Sequence, residues 1–103
     1  MSDRYTIEMN FRRSTAQADR LDRIAGDLRR LTNDNFESTL NDLQLKWKGD
    51  NALKYRGKAG ELQESMCYTA DGLNEAAAVI REIAERLYNT EMANLAIAEG
   101  SDY

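Results

Sequence analysis

The feature that most constrains this chain is an uninterrupted heptad stripe in its second half. Small or apolar side chains recur there at alternating spacings of three and four residues, which places them on one face of an α-helix. The members of this stripe are Ala59, Leu62, Met66, Thr69, Leu73, Ala76, Ile80, Ile83 and Leu87. We therefore predict one long helix over about residues 52–95.

A line of alanines runs beside that stripe. Ala70, Ala77 and Ala84 repeat every seven residues, so they widen the apolar face beyond the seam of a two-stranded coiled coil. Their small side chains also permit close approach of a neighbouring helix. The pattern predicts a helix with more than one packing neighbour.

The first half carries a shorter version of the same pattern, with one irregularity. Leu21, Ile24, Leu28 and Leu31 share a face, but five residues separate Leu31 from Phe36. The stripe then resumes, and we predict a local bend or change of supercoil near residues 33–35, within a helix that continues through it. Ser14 to Gln17 fits a capping box, and Asn10 is an earlier candidate cap. These signals predict a first helix over about residues 12–46.

The clearest break in the chain lies between these two helices. Trp47, Lys48 and Gly49 precede Asp50 and Asn51, and glycine can close one helix while Asp or Asn caps the next. We therefore predict an all-α fold, in which residues 1–103 form a single domain. In this fold, an antiparallel two-helix hairpin turns at residues 47–51.

A single hairpin of two thin helices leaves part of its apolar surface wet, so we expect two hairpins to pair as a dimeric four-helix bundle. We expect the dimer or partner interface to be formed by the large side chains of both stripes. These are Leu62, Met66, Leu73, Ile80, Ile83 and Leu87 on helix 2, with Leu28, Phe36, Leu40 and Leu43 on helix 1. The second half is acidic and the first nearly neutral, which suits either antiparallel packing or a basic external partner.

Composition argues against several functions. The chain has no histidine and only one cysteine, Cys67, so it lacks the commonest general base and the commonest metal ligand, and a site with several cysteines cannot form. We expect no catalysis, no cofactor and no metal site. The net charge of −4 disfavours nucleic acid, which requires a clustered basic surface. No apolar run approaches the ~20 residues of a membrane span, so we expect a soluble protein without stable membrane insertion.

Trp47 and Gly49 form a Trp-x-Gly motif near the middle of a proline-free chain of 103 residues, between two amphipathic helices. In these respects the whole chain resembles the WXG100 (ESAT-6-like) family. The resemblance implies a helical hairpin that dimerises with itself or with a related helical protein, such as the helical region of an LXG-type toxin. It also implies recognition by a type VII (ESX/Ess-like) secretion ATPase, and export from the cytoplasm to the cell surface or medium without a cleaved signal peptide.

The chain departs from the family pattern at its export signal. The family's Tyr-x-x-x-Asp/Glu motif has no match, since Tyr88 is followed four residues later by Met92, with Glu91 one position early. Tyr88 and Glu91 therefore form a degenerate signal, or a partner supplies the signal. The alternative function is a targeting chaperone or coiled-coil adaptor that is not itself secreted and that serves a larger type VII effector.

Overall fold

The computed structural model of the protein describes residues 3–46 and 50–100, and every secondary-structure element in these ranges is helical. Helix α1 spans Arg4–Arg30, a π-helical segment spans Leu31–Phe36, α2 spans Glu37–Lys46 and α3 spans Asp50–Gly100. Contacts between α1 and α3 make the chain a helical hairpin. The predicted all-helical hairpin is therefore confirmed.

The first helix begins earlier than its sequence signals predict. It starts at Arg4, not between Asn10 and Ser14. The helix cap is Asp3, whose Oδ1 accepts a 2.7 Å hydrogen bond from the Thr6 backbone N–H. This N–H would otherwise lack a partner in the first turn. The hydrogen bonds from Thr6 also hold the pKa of the Asp3 carboxyl below its ordinary value.

Helix α3 is longer than predicted at both ends. Asp50 and Asn51, which the sequence signals place in the turn, already belong to α3, and the helix continues to Gly100. The extension past residue 95 is rich in alanine, which favours helix even after the heptad pattern weakens. The predicted turn residues Trp47, Lys48 and Gly49 lie outside the described residues.

The predicted irregularity between the two stripes of the first half is a π-helical segment. Leu31 and Phe36 are its two ends, and a π-turn pairs residues five apart, so it absorbs the one-residue slip. Thr32 is buried within it, and its hydroxyl donates to the Leu28 carbonyl oxygen at 2.8 Å. The chain thus remains helical from Arg4 to Lys46, as predicted.

The hairpin divides into two compact units. The terminal unit combines residues 3–22 with 75–100, and the central unit combines 23–46 with 50–74. Antiparallel packing is visible within each. In the terminal unit Phe11 stacks on Tyr88, while Asp19 pairs with Arg81. In the central unit Arg29 pairs with Asp71, while Thr32 accepts from Gln63.

No helix in the described parts of the chain is both long and apolar enough to cross a membrane.

Candidate protein-binding surface

Most of the side chains that are buried where the helices meet are small. In the terminal unit Ala18, Ala77 and Ala84 are almost completely buried, together with Ile7. In the central unit the buried side chains are those of Ala25, Thr32 and Ala70. On both helices the alanine positions repeat every seven residues. We call these positions the seam.

One side of the terminal unit's seam carries an ion-pair network. Arg81 lies 2.7 Å from Asp19 and 2.7 Å from Asp22. The hydrogen bonds to Asp19 and then to Asp22 raise the pKa of the Arg81 guanidinium above its ordinary value. Asp19 follows the seam residue Ala18 by one residue, and Arg81 precedes the seam residue Ala84 by three residues.

The central unit repeats the same geometry. Arg29 lies 2.7 Å from Asp71. Arg29 precedes the seam residue Thr32 by three residues, and Asp71 follows the seam residue Ala70 by one residue. Each unit therefore places the positions one after and three before a seam residue on one side of its own seam. We call this side, defined by these ion pairs, the polar face.

The opposite side of each unit must then carry the positions one before and three after a seam residue, because the helical period rotates them the other way. In the terminal unit the large apolar residues at these positions are Leu21 on α1 and Ile80, Ile83 and Leu87 on α3, while Asn10, Ser14 and Gln17 hold the other α1 positions. Leu21 and Ile80 are half-buried, whereas Ile83 and Leu87 remain 50% and 55% exposed. We call this set the apolar face of the terminal unit.

The central unit has an equivalent apolar face. Of its members, Leu28, Met66 and Leu73 are half-buried, and Ile24 and Leu62 are each 52% exposed. The complete set is Ile24, Leu28, Leu31, Leu62, Met66 and Leu73. Large apolar side chains with half of their surface in water identify a surface suited to a partner.

The other interface residues expected from the sequence lie further along the first arm. Phe36, at the end of the π segment, and Leu40, in α2, are both half-buried. The side chain of Leu43 is outside the described residues, as are the family-motif residues Trp47 and Gly49.

A groove of about 290 Å³ lies at one end of the terminal unit. Ile7 and Ala84 form part of its lining, and Arg13, Gln17 and Leu87 line it on the side of the apolar face.

Tyr88 and Glu91, the residues of the degenerate export signal, line the same groove. Tyr88 is half-buried and stacks on Phe11, with the ring centroids 5.0 Å apart and the ring planes tilted by 49°. Glu91 is half-buried one heptad after Ala84. Tyr88 therefore packs against Phe11 within the hairpin and also lines the groove.

Within residues 3–46 and 50–100, no three acidic or cysteine side chains come together in a way that would hold a metal ion. Cys67 is a half-buried free thiol. The arrangement offers apolar contact area and rim charges, which suit protein binding.

Comparison with known proteins returns no match: no family model, no curated protein and no solved structure is similar to this chain.

Sequence reasoning did not identify the seam on the first helix or the ion pairs of the polar face. A signal for the seam was present, since Ala18 and Ala25 repeat at the same seven-residue spacing as Ala70, Ala77 and Ala84. The ion pairs carried no comparable signal, because Asp19 and Arg81 lie far apart in the sequence and only the register of the hairpin brings them together.

Proposed function

We propose that this chain is a WXG100-like, dimerising protein-binding module and a type VII (ESX/Ess-like) secretion substrate or co-secreted partner. Binding, not catalysis, is the activity proposed. The observation that supports it is the difference in burial between two sets of apolar residues. Alanines close the hairpin, while the large side chains, including Ile83 and Leu87, stay half exposed beside them.

The uncovered apolar faces support pairing into a four-helix bundle. Burial of a large aliphatic side chain contributes roughly 1.5–3 kcal/mol, and each face holds several that the hairpin covers only in part. A second pair of helices, supplied by another copy or by a related helical protein such as an LXG-type toxin, would cover them. The Trp-x-Gly resemblance at Trp47 and Gly49 supports a secretion system as the setting, with its ATPase as a further partner.

Association is tested by comparing two aspartate substitutions in sedimentation velocity at micromolar concentration, with and without the products of neighbouring genes. Ile83→Asp places a charge in the apolar face and is expected to weaken association roughly tenfold or more. Ala78→Asp introduces the same charge at an exposed position of α3, beside the buried Ala77, and is expected to have little effect. Equal behaviour of the two variants, or a wild-type chain that stays monomeric with every neighbour, would contradict the proposal.

A second candidate is a targeting chaperone or adaptor that remains in the cytoplasm. It is favoured by the missing Tyr-x-x-x-Asp/Glu spacing. It is also favoured by the packing of Tyr88, the tyrosine of the degenerate export signal, against Phe11. Fractionation of a secretion-competent culture separates the two roles. We expect a secreted substrate to appear in the medium or on the cell surface in a manner that depends on the secretion ATPase. Confinement to the cytosol, in complex with an exported partner, would favour the chaperone.

A further inference from the structure

We infer that the apolar face of the terminal unit binds a helix of a different protein, one whose apolar stripe is flanked by carboxylates, in preference to a second copy of this chain. This inference rests on the proposed function, because it names the partner of the surface on which that function depends. It follows from the charges that border the face.

The border of this apolar face is basic. The position two residues after a seam residue lies just beyond the apolar face on each helix. In the terminal unit this position holds Arg13 and Arg20 on α1 and Arg86 on α3. All three are exposed. Val79, two residues after the seam residue Ala77, occupies a further border position on α3 and is 52% exposed. The apolar surface is thus edged by cations.

The carboxylates of the terminal unit are directed elsewhere. Asp19 and Asp22 are held by Arg81 on the polar face. Glu82 lies on the outer side of α3, where it pairs with Arg86 at 2.5 Å, and Glu85 follows the seam residue Ala84 on the polar-face side. Asp3 caps α1.

Four further carboxylates belong to the described part of this unit. Glu8 lies at seam position minus three and Glu99 at seam position plus one, so both belong to the side of the polar face. Glu75 lies on the outer side of α3, and Glu91 is a seam position at the end of the groove. Beside the apolar side chains of this face, therefore, α1 brings Arg13 and Arg20 with no carboxylate at the described border positions. On α3, Arg86 is already paired with Glu82, so the basic border is mainly that of α1.

A second copy would bring the same border to the interface. If two apolar faces pack together, Arg13 and Arg20 of one chain meet either the same residues or Arg86 of the other, whichever helices become neighbours. Like charges at the rim of an interface disfavour that pairing and slow the encounter. A helix with glutamate or aspartate beside its apolar stripe meets the same rim with opposite charge.

The groove adds a point of anchorage for such a helix. Arg13 and Leu87 stand at its opening and Ala84 lies in its lining. A large apolar side chain seated there would place a carboxylate of the following or preceding turn within reach of Arg13. Anchors of this kind dominate the affinity of helix-in-groove complexes, and the rim charges select the partner.

The test uses two synthetic amphipathic helices of about four heptads with the same leucine and isoleucine stripe. One peptide carries glutamate on both sides of the stripe and the other carries lysine. Binding of each to the full chain is measured by calorimetry at low and high salt. We expect the glutamate peptide to bind about tenfold more tightly at low salt, with a preference that shrinks as salt screens the rim.

Charge reversal at the border then identifies the residues responsible. In the variant Arg13→Glu with Arg20→Glu, the preference should reverse in favour of the lysine peptide. The matched control, Arg12→Glu with Arg23→Glu, makes the same change of charge at exposed positions of α1 that lie off the apolar face. It should keep the wild-type preference. Circular dichroism checks that both variants retain their helicity.

Each other outcome overturns the inference in a distinguishable way. Equal binding of both peptides, unaffected by reversal of Arg13 and Arg20, removes the role of charge but leaves the face as a docking surface. Failure of both peptides to bind a chain that sediments as a stable dimer assigns the face to a second copy. Failure of both peptides to bind a monomeric chain contradicts the proposed function as well.

Discussion

Alanine is the residue that determines how the two arms of this hairpin meet. Ala18 and Ala84 in the terminal unit, like Ala25 and Ala70 in the central unit, are among the most completely buried side chains of the described residues. Their contribution is steric more than hydrophobic, because a methyl group buries little area but lets two backbones approach closely. The larger residues are consequently displaced to the sides of the seam.

Enlarging a seam alanine should therefore destabilise the fold. Ala77 is fully buried, and we expect Ala77→Leu to lower the free energy of unfolding by about 1–3 kcal/mol, because the extra side chain must be accommodated between packed helices. The adjacent Ala78 is exposed, so Ala78→Leu should change it by less than about 0.5 kcal/mol. Urea unfolding followed by circular dichroism measures both values. Similar losses for the two variants would show that Ala77 does not lie between the helices.

Residue-scale prediction from sequence succeeded for the alanines of the second helix and failed at the start of the first. The seven-residue spacing of Ala70, Ala77 and Ala84 is by itself a signal of close packing. The cap did not follow from local signals, because Ser14 offers an attractive capping box inside what is a continuous helix. Asp3 caps the helix instead. A capping side chain is needed only at the first turn of a helix, where the backbone N–H groups have no carbonyl partner.

At the scale of elements, the π segment accommodates the irregular spacing between the two apolar stripes of the first half of the chain. Leu31 and Phe36 are five residues apart, and one π-turn keeps both on the packed side of the arm. Gln63 of α3 donates from Nε2 to the Thr32 carbonyl oxygen at 3.2 Å. This contact supplies a partner to a carbonyl in the widened turn, where regular α-helical hydrogen bonding is interrupted.

Removal of one residue from this segment should restore a regular α-helix. Deletion of Asp34 leaves Leu31 and Phe36 four residues apart, so their common face is kept, and we expect the melting temperature to stay the same or to rise. Deletion of Arg23 from the regular α1 helix rotates everything on one side of it by about 100° and should lower the melting temperature substantially. Thermal melting by circular dichroism compares the two. A larger loss from deleting Asp34 would mean that the π-turn is needed for packing.

Element type followed from the sequence more readily than element ends. The heptad stripes of both arms are strong periodic signals, and the slip between Leu31 and Phe36 marks the irregular turn. The helix ends are less clearly marked in the sequence, including the continuation of α3 to Gly100. Its last turns carry only weak periodicity and extend because alanine-rich sequence tolerates helix well.

At the scale of the whole molecule, each compact unit has two different faces. Ion pairs such as Arg29 with Asp71 occupy one face, and large apolar side chains occupy the other. Surface ion pairs contribute little to stability, in the range of about 0–1 kcal/mol each. They nevertheless favour one arrangement of the two arms, because shifting the register separates the charges. The apolar face is then available for another chain.

The sequence by itself determined the helical class, the two amphipathic arms and the absence of histidine. These properties depend on local periodicity and composition. Only the tertiary structure decided which of two adjacent heptad lines closes the hairpin. Both lines run along the same helix and differ in side-chain size, and close contact between the backbones selects the smaller one. As a result, the alanines form the interior, and Leu62, Ile83 and Leu87 remain half exposed as the surface where a partner can bind.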